Sequence, residues 1–154
     1  MPQSELQPEA LNQRSSQRGQ TLSQPLTGRT VLVIDNDKDI LVGMQSLLGG
    51  WGAEVVTGMT LTDAKEAVKA RSAIQVALID YHLDDDALGV DLIAVLRALR
   101  GDIECALITA DRSEEMKKQA KELGATVLNK PLKPAALRSW ITQKLRGKPL
   151  PPSA

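Results

Sequence analysis

At 154 residues, with 19 Lys and Arg balanced by 19 Asp and Glu, the chain has a formal net charge of +0 at pH 7. This length suits one domain with its own hydrophobic core, and the balanced charge gives no indication of steering towards nucleic acid or an anionic membrane. No apolar stretch approaches the roughly 20 residues that span a bilayer, and the N-terminus lacks the apolar centre of a signal peptide, so we expect a cytoplasmic protein.

Composition divides the chain into three parts. Residues 1–28 are rich in Gln, Ser and Pro and have no periodic apolar face, which predicts a flexible linker. Residues 29–146 carry the periodic apolar pattern of a folded domain. Residues 147–154 contain Pro149, Pro151 and Pro152, and we expect this Pro-rich tail to end the fold.

Five short apolar runs predict five buried β-strands. They are Val31–Ile34, Ala53–Val56, Val76–Ile79, Ala106–Ile108 and Val127–Leu128. Most are apolar throughout rather than alternating with polar residues, a pattern typical of a parallel sheet covered on both faces.

A helical pattern follows each strand. The apolar positions that define the five helices are Ile40, Leu41, Met44, Leu47 and Leu48; Ala64, Ala67 and Val68; Leu92, Ile93, Leu96 and Leu99; Met116, Ala120 and Leu123; and Leu137, Trp140, Ile141 and Leu145. Capping and breaking residues set the expected ends: Gly49-Gly50, Thr60 or Thr62, Gly101, Ser113, Gly124 and Pro134. This alternation predicts an α/β fold built from repeated βα units.

Polar residues stand where four of the strands end: Asp35, Asp80, Thr109 and Lys130. The carboxyl ends of parallel strands share one edge of the sheet, and ligands bind there. We therefore expect these four side chains to converge. Two carboxylates, a hydroxyl and an ammonium suit a hard cation and a phosphoryl group.

The motifs around these residues resemble the receiver domain of bacterial response regulators. They read Val-Leu-Val-Ile-Asp35-Asn36-Asp37, Ala-Leu-Ile-Asp80, Leu-Ile-Thr109-Ala110 and Leu-Asn-Lys130-Pro131, in the family's order. The resemblance covers about residues 30–146. It implies a three-layer, doubly wound, flavodoxin-like fold, whose five-stranded parallel sheet has the order 2-1-3-4-5.

The resemblance also implies a role for each residue of the site. Asp80 corresponds to the phosphoacceptor, and Mg²⁺ is the implied cofactor. Its implied ligands are Asp35, Asn36, Asp80 and the backbone carbonyl of His82.

The resemblance further implies that the Thr109 hydroxyl bonds a phosphoryl oxygen and that the Lys130 ammonium pairs with the phosphoryl group or with Asp80. In the family, the positions of His82 and Asp111 tune the lifetime of the phosphate, and the resemblance implies the same role here. The Lys130-Pro131 bond is expected to be cis.

The chain departs from the family pattern in several places. Asn36 stands where a second acid is usual, and Asp37 is favoured as the N-cap of the first helix. Asp84-Asp85-Asp86 is interpreted as a solvated loop. Val127 replaces the aromatic residue that family members use to switch an effector surface.

By resemblance, the expected partner is a histidine kinase or a histidine phosphotransfer protein, and the matching docking surface is Ile40, Met44 and Pro131. The chain is expected to act alone or as the receiver segment of a hybrid histidine kinase.

Two alternatives stay open at this point. The first is a pseudo-receiver that serves only as an interaction module, which Asn36 favours. The second is a haloacid-dehalogenase-like phosphatase, suggested by Asp35-Asn36-Asp37 and a later Lys. The second alternative leaves Asp80 without a role, and nothing acidic follows Lys130 to complete such a site.

Overall fold

Strands and helices alternate along the chain in the computed structural model, which describes residues 24–83 and 88–151. The strands are β1 (Thr30–Ile34), β2 (Glu54–Gly58), β3 (Ile74–Asp80), β4 (Glu104–Thr109) and β5 (Thr126–Asn129). The helices are α1 (Lys38–Gly50), α2 (Leu61–Ala70), α3 (Gly89–Leu99), α4 (Glu114–Glu122) and α5 (Pro134–Leu145). Most of the predicted linker, the acidic run Asp84–Asp86 and the last three residues lie outside the described part.

All the strand pairs are parallel, and the sheet has the order β2-β1-β3-β4-β5. The predicted doubly wound, flavodoxin-like architecture is confirmed. The second strand runs from Glu54 to Gly58 rather than from Ala53 to Val56, because it pairs along its full length with β1.

Two apolar clusters cover the two faces of the sheet. Alternate residues of β1 and β3 point to opposite sides: Leu32 and Ile79 pack in the cluster that includes α2 and α3. Val33 and Leu78 pack in the cluster that includes α1 and α5. Burial on both faces explains why these strands are apolar throughout.

Short polar side chains begin three of the helices. The Asp37 carboxylate accepts the Asp39 N–H at 2.9 Å, which confirms Asp37 as the cap of α1. The Thr60 hydroxyl caps α2 by accepting the Asp63 N–H, and the Ser113 hydroxyl caps α4. These bonds satisfy backbone donors that have no partner within the helix.

Two apolar residues of the predicted helical faces are exposed instead. Ile40 is 45% exposed and Leu99 is 40% exposed. Each lies at the margin of a buried stripe rather than at its centre, because successive helical residues are about 100° apart. Met44, by contrast, is buried against the sheet.

The packed part of the chain extends beyond the predicted boundaries at residues 29 and 146. Leu26 is 1% exposed, and its N–H donates to the Trp51 carbonyl at 2.9 Å. At the other end, the Pro149 carbonyl accepts hydrogen bonds from Arg29 and Gln75. Within residues 24–83 and 88–151, we find no helix with the length and apolar character needed to cross a membrane.

Candidate phosphoryl-transfer site

Two carboxylates leave neighbouring strands at the same level. Asp80 is the last residue of β3, and Asp35 follows the last residue of β1. Ile34 pairs with Ile79, so each acid comes one step after a paired residue. Asp35 is 6% exposed and Asp80 is 5% exposed, so both are held within the edge of the sheet.

Lys130 follows β5, two strands along the sheet from β3, and its side chain reaches Asp80. Its Nζ lies 2.8 Å from Oδ1 of Asp80. The hydrogen bond that Lys130 donates to Asp80 raises the pKa of Lys130 above its usual value, and the charges of Asp80, Asp35 and Asp37 add to this effect. A half-exposed ammonium is therefore held charged against a buried carboxylate.

Burial raises the pKa of Asp35 above its usual value, and repulsion from Asp80 and Asp37 adds to this effect. Two contacts oppose it. The Asp37 N–H donates to Oδ1 of Asp35 at 2.9 Å, and the Lys130 charge favours the ionised form. Burial is the larger cause, so the pKa of Asp35 stays above its usual value despite these two contacts.

Two buried carboxylates at neighbouring strand ends suit Mg²⁺. The ion usually takes one or two protein carboxylates and completes its shell with water and phosphoryl oxygens. Asp35 and Asp80 meet that requirement as a pair. Across the described residues, no group of three His, Cys, Asp or Glu side chains is arranged to hold a metal.

The other two implied ligands lie beside this pair. Asn36 follows Asp35 and is exposed, and His82 follows Asp80 by two residues and is also exposed. The backbone of His82 forms an isolated antiparallel bridge with Leu88. The Tyr81 and His82 rings meet edge to face, with centroids 4.6 Å apart.

Thr109 ends β4 and is 2% exposed. Its Oγ1 accepts the Asp111 N–H at 3.0 Å, and Oδ1 of Asp111 accepts the Ser113 N–H at 2.8 Å. The bond from the Ser113 backbone lowers the pKa of Asp111 below its usual value, and the nearby His82 contributes in the same direction.

The Lys130-Pro131 peptide bond is cis, as predicted. The Lys130 N–H also donates to the Thr109 carbonyl at 2.8 Å. Lys130 therefore contacts Thr109 of β4 through its backbone and Asp80 of β3 through its side chain.

Sequence reasoning missed Asn129. Its side-chain amide lies 3.2 Å from the Asp111 carbonyl oxygen and 3.4 Å from that of Thr109. The available signal was an amide side chain between the apolar run Val127–Leu128 and Lys130.

Residues 31–142 match the family model of the response regulator receiver domain. The chain belongs to this family. The match covers every strand end described above, including those of Asp35, Asp80, Thr109 and Lys130.

Solved structures share the fold of this chain. A CheY-like response regulator receiver domain protein from Methanospirillum hungatei has a TM-score of 0.71 and 26% identity, covering 77% of this chain and 94% of that chain. A two-component response regulator from Clostridium difficile has a TM-score of 0.72 at 20% identity, covering 77% and 97%. A Francisella receiver domain has a TM-score of 0.70 at 21% identity, covering 77% and 97%. No curated protein sequence matches this receiver domain significantly.

Proposed function

We propose that this receiver domain accepts a phosphoryl group from a phosphohistidine onto Asp80, in a reaction that requires Mg²⁺. One observation carries the proposal: the buried Asp80 carboxylate is paired with Lys130 at 2.8 Å, at the edge of the sheet that also presents Asp35. Membership of the receiver family supports the proposal, because a signalling role is general to this family.

The chain's own groups can perform the transfer as follows. An Asp80 carboxylate oxygen attacks phosphorus, the new O–P bond forms, and the P–N bond breaks with its electron pair left on the histidine ring. The Lys130 ammonium then donates a hydrogen bond to a phosphoryl oxygen instead of to Asp80, and the Thr109 hydroxyl donates to another phosphoryl oxygen. Positioning and charge stabilisation supply most of the catalysis in such transfers.

Asp35 and Asp80 would hold the Mg²⁺, with Asn36 and the His82 carbonyl as further oxygen ligands. The bound ion would neutralise the charge of the transferred group. His82 and Asp111 flank the site and would tune how long the phosphate survives.

The partner we propose is a histidine kinase or a histidine phosphotransfer protein. Ile40, an exposed apolar residue in the first turn of α1, offers it a contact beside the site. With such a donor, we propose that the reaction takes place in the cytoplasm. The chemistry is the same for a separate receiver and for the receiver segment of a hybrid histidine kinase.

Labelling with a small phosphodonor tests the assignment. With Mg²⁺ and acetyl phosphate, the protein should gain one acid-labile, hydroxylamine-sensitive phosphoryl group. Asp80→Asn should abolish labelling because it removes the nucleophile's charge, and Asp91→Asn, an exposed acid in α3, is the matched control. Undiminished labelling of Asp80→Asn would place the phosphate elsewhere.

A metal titration separates this function from a pseudo-receiver. An amide ligand lacks the charge of a carboxylate, so Asn36→Asp should tighten Mg²⁺ binding by roughly tenfold, or about 1–2 kcal/mol. Isothermal calorimetry of both forms would measure it. Absence of binding to either form would favour the pseudo-receiver. The phosphatase alternative gains no support, since Asp80 has a partner here and the family assignment is to receivers.

A further inference from the structure

The side chain of Asn129 makes contacts beyond the end of its own strand. β5 ends at Asn129, which pairs with Thr109 of β4. The backbone contributes one more bond between these strands' ends, from the Lys130 N–H to the Thr109 carbonyl. The Asn129 amide reaches further, to the Asp111 carbonyl at 3.2 Å, and also lies 3.4 Å from the Thr109 carbonyl. It therefore joins β5 to the segment between β4 and α4.

That segment engages the Thr109 hydroxyl. The Asp111 N–H donates to Oγ1 of Thr109, so Asp111 is held through its carbonyl by Asn129 and through its N–H by Thr109. A hydroxyl that accepts one bond keeps its own proton available for donation. With its accepting side engaged, the Thr109 hydroxyl has fewer orientations open to it.

We propose that Asn129 is a positioning residue for phosphorylation: its amide fixes Asp111, and Asp111 in turn orients the Thr109 hydroxyl that donates to the phosphoryl oxygen. This inference rests on the proposed function of Asp80. Donors fixed before the reaction need no reorganisation when charge develops, which is how such groups lower a barrier. Without the Asn129 amide, the segment exchanges a protein donor for water and gains freedom.

The first test removes the donor and keeps the shape. Asn129→Leu should slow labelling by acetyl phosphate about fivefold, the ratio that corresponds to one net hydrogen bond. The matched control is Thr126→Val, a near-isosteric change three residues earlier in β5, which should label at the wild-type rate. Equal rates for Asn129→Leu and wild type would overturn the proposal.

A double-mutant cycle distinguishes positioning from a general structural role. In a Thr109→Val background the hydroxyl is already absent, so adding Asn129→Leu should slow labelling no further. The same fivefold loss in both backgrounds would mean that Asn129 does not act through Thr109, and the proposal would be wrong.

Amide hydrogen exchange measured by NMR tests the tether without any phosphorylation. Asn129→Leu should speed exchange of the Asp111 and Ser113 N–H groups, and Thr126→Val should leave it unchanged. If the wild-type protein labels normally but the exchange rates in Asn129→Leu do not change, only the proposed role of Asn129 would be wrong. A wild-type protein that Mg²⁺ and acetyl phosphate fail to label would instead refute the proposed function of Asp80.

Discussion

At the scale of single residues, the buried Asp35 carboxylate lowers the stability of the metal-free protein, although the proposed function requires it as a metal ligand. Burial raises its pKa, so the folded protein binds a proton there at a higher pH than the unfolded chain does. The stabilising contribution of this group is complete below its unfolded pKa and is lost as the pH rises through the folded pKa. At neutral pH the ionised carboxylate therefore destabilises the metal-free protein.

Replacing Asp35 should expose this cost. Asp35→Asn keeps the oxygen that accepts the Asp37 N–H, and it should raise the free energy of unfolding at pH 7 by on the order of 1 kcal/mol without metal. The difference in the free energy of unfolding between Asp35→Asn and wild type should narrow as the pH falls through the raised pKa of Asp35. Urea denaturation at several pH values would measure it, with exposed Glu66→Gln as the control.

Added Mg²⁺ should reverse the order, because a ligand that binds only the folded state stabilises it. The wild-type protein should then gain more stability than Asp35→Asn. A gap between the two proteins that is independent of both pH and Mg²⁺ would contradict this account of Asp35.

At the scale of elements, the start of α3 fixes the end of β3. A Cβ atom on Gly89 would lie 2.5 Å from the Asp80 carbonyl oxygen and 2.7 Å from Cδ1 of Leu107. The Gly89 N–H donates to the Tyr81 carbonyl at 2.7 Å. The helix therefore begins in direct contact with the strand that carries the proposed phosphoacceptor, and only a residue without a side chain allows that approach.

Two glycine substitutions should have opposite effects on stability. Gly89→Ala should cost roughly 1–3 kcal/mol, because backbone or packed side chains must shift. Gly43→Ala, in the interior of α1 with no atom within 4 Å of the new Cβ, should gain about 0.5–1 kcal/mol. Thermal unfolding of both variants would measure this. Equal shifts would mean that the contact at Gly89 does not decide its identity.

At the scale of the whole molecule, Arg29, which directly precedes β1, joins the amino end of β3 to the C-terminal end of the described residues. Its Nη1 lies 2.8 Å from Oε1 of Gln75 and 3.0 Å from the Pro149 carbonyl, and its Nη2 lies 2.8 Å from the Lys148 carbonyl. The charged, partly buried guanidinium makes these bonds stronger than neutral ones. We call this set of contacts between Arg29 and its three partners the clasp. It lies at the opposite edge of the sheet from Asp80, because all the strands are parallel.

Breaking the clasp should separate stability from chemistry. Arg29→Ala should lower the free energy of unfolding by about 1–3 kcal/mol, yet the folded protein should still label at Asp80. Arg146→Ala, an exposed arginine near the same edge, is the control and should change neither. Denaturation and labelling would be measured on the same samples. Lost labelling with unchanged stability would show that Arg29 acts on the site instead.

The helices, the strands and the edge of the sheet that carries the site could be predicted from the amino-acid sequence. Apolar runs located the strands because burial on both faces leaves no room for polar residues. Asp37, Thr60 and Ser113 marked helix starts because helix donors need local acceptors. Asp35 and Asp80 were predicted to converge because parallel strands end together. Each of these rules is local or depends on periodicity alone.

Tertiary structure decided what depends on residues far apart in the chain. Arg29 and Pro149 are 120 positions apart, and no periodic pattern links them. The exposure of Ile40 and the burial of Leu26 depend on where other elements stop covering them. In the sequence, Asn129 is only a polar residue at a strand end; it becomes a donor to Asp111 because β4 and β5 end side by side. Long-range contacts of this kind exist only once the chain has folded.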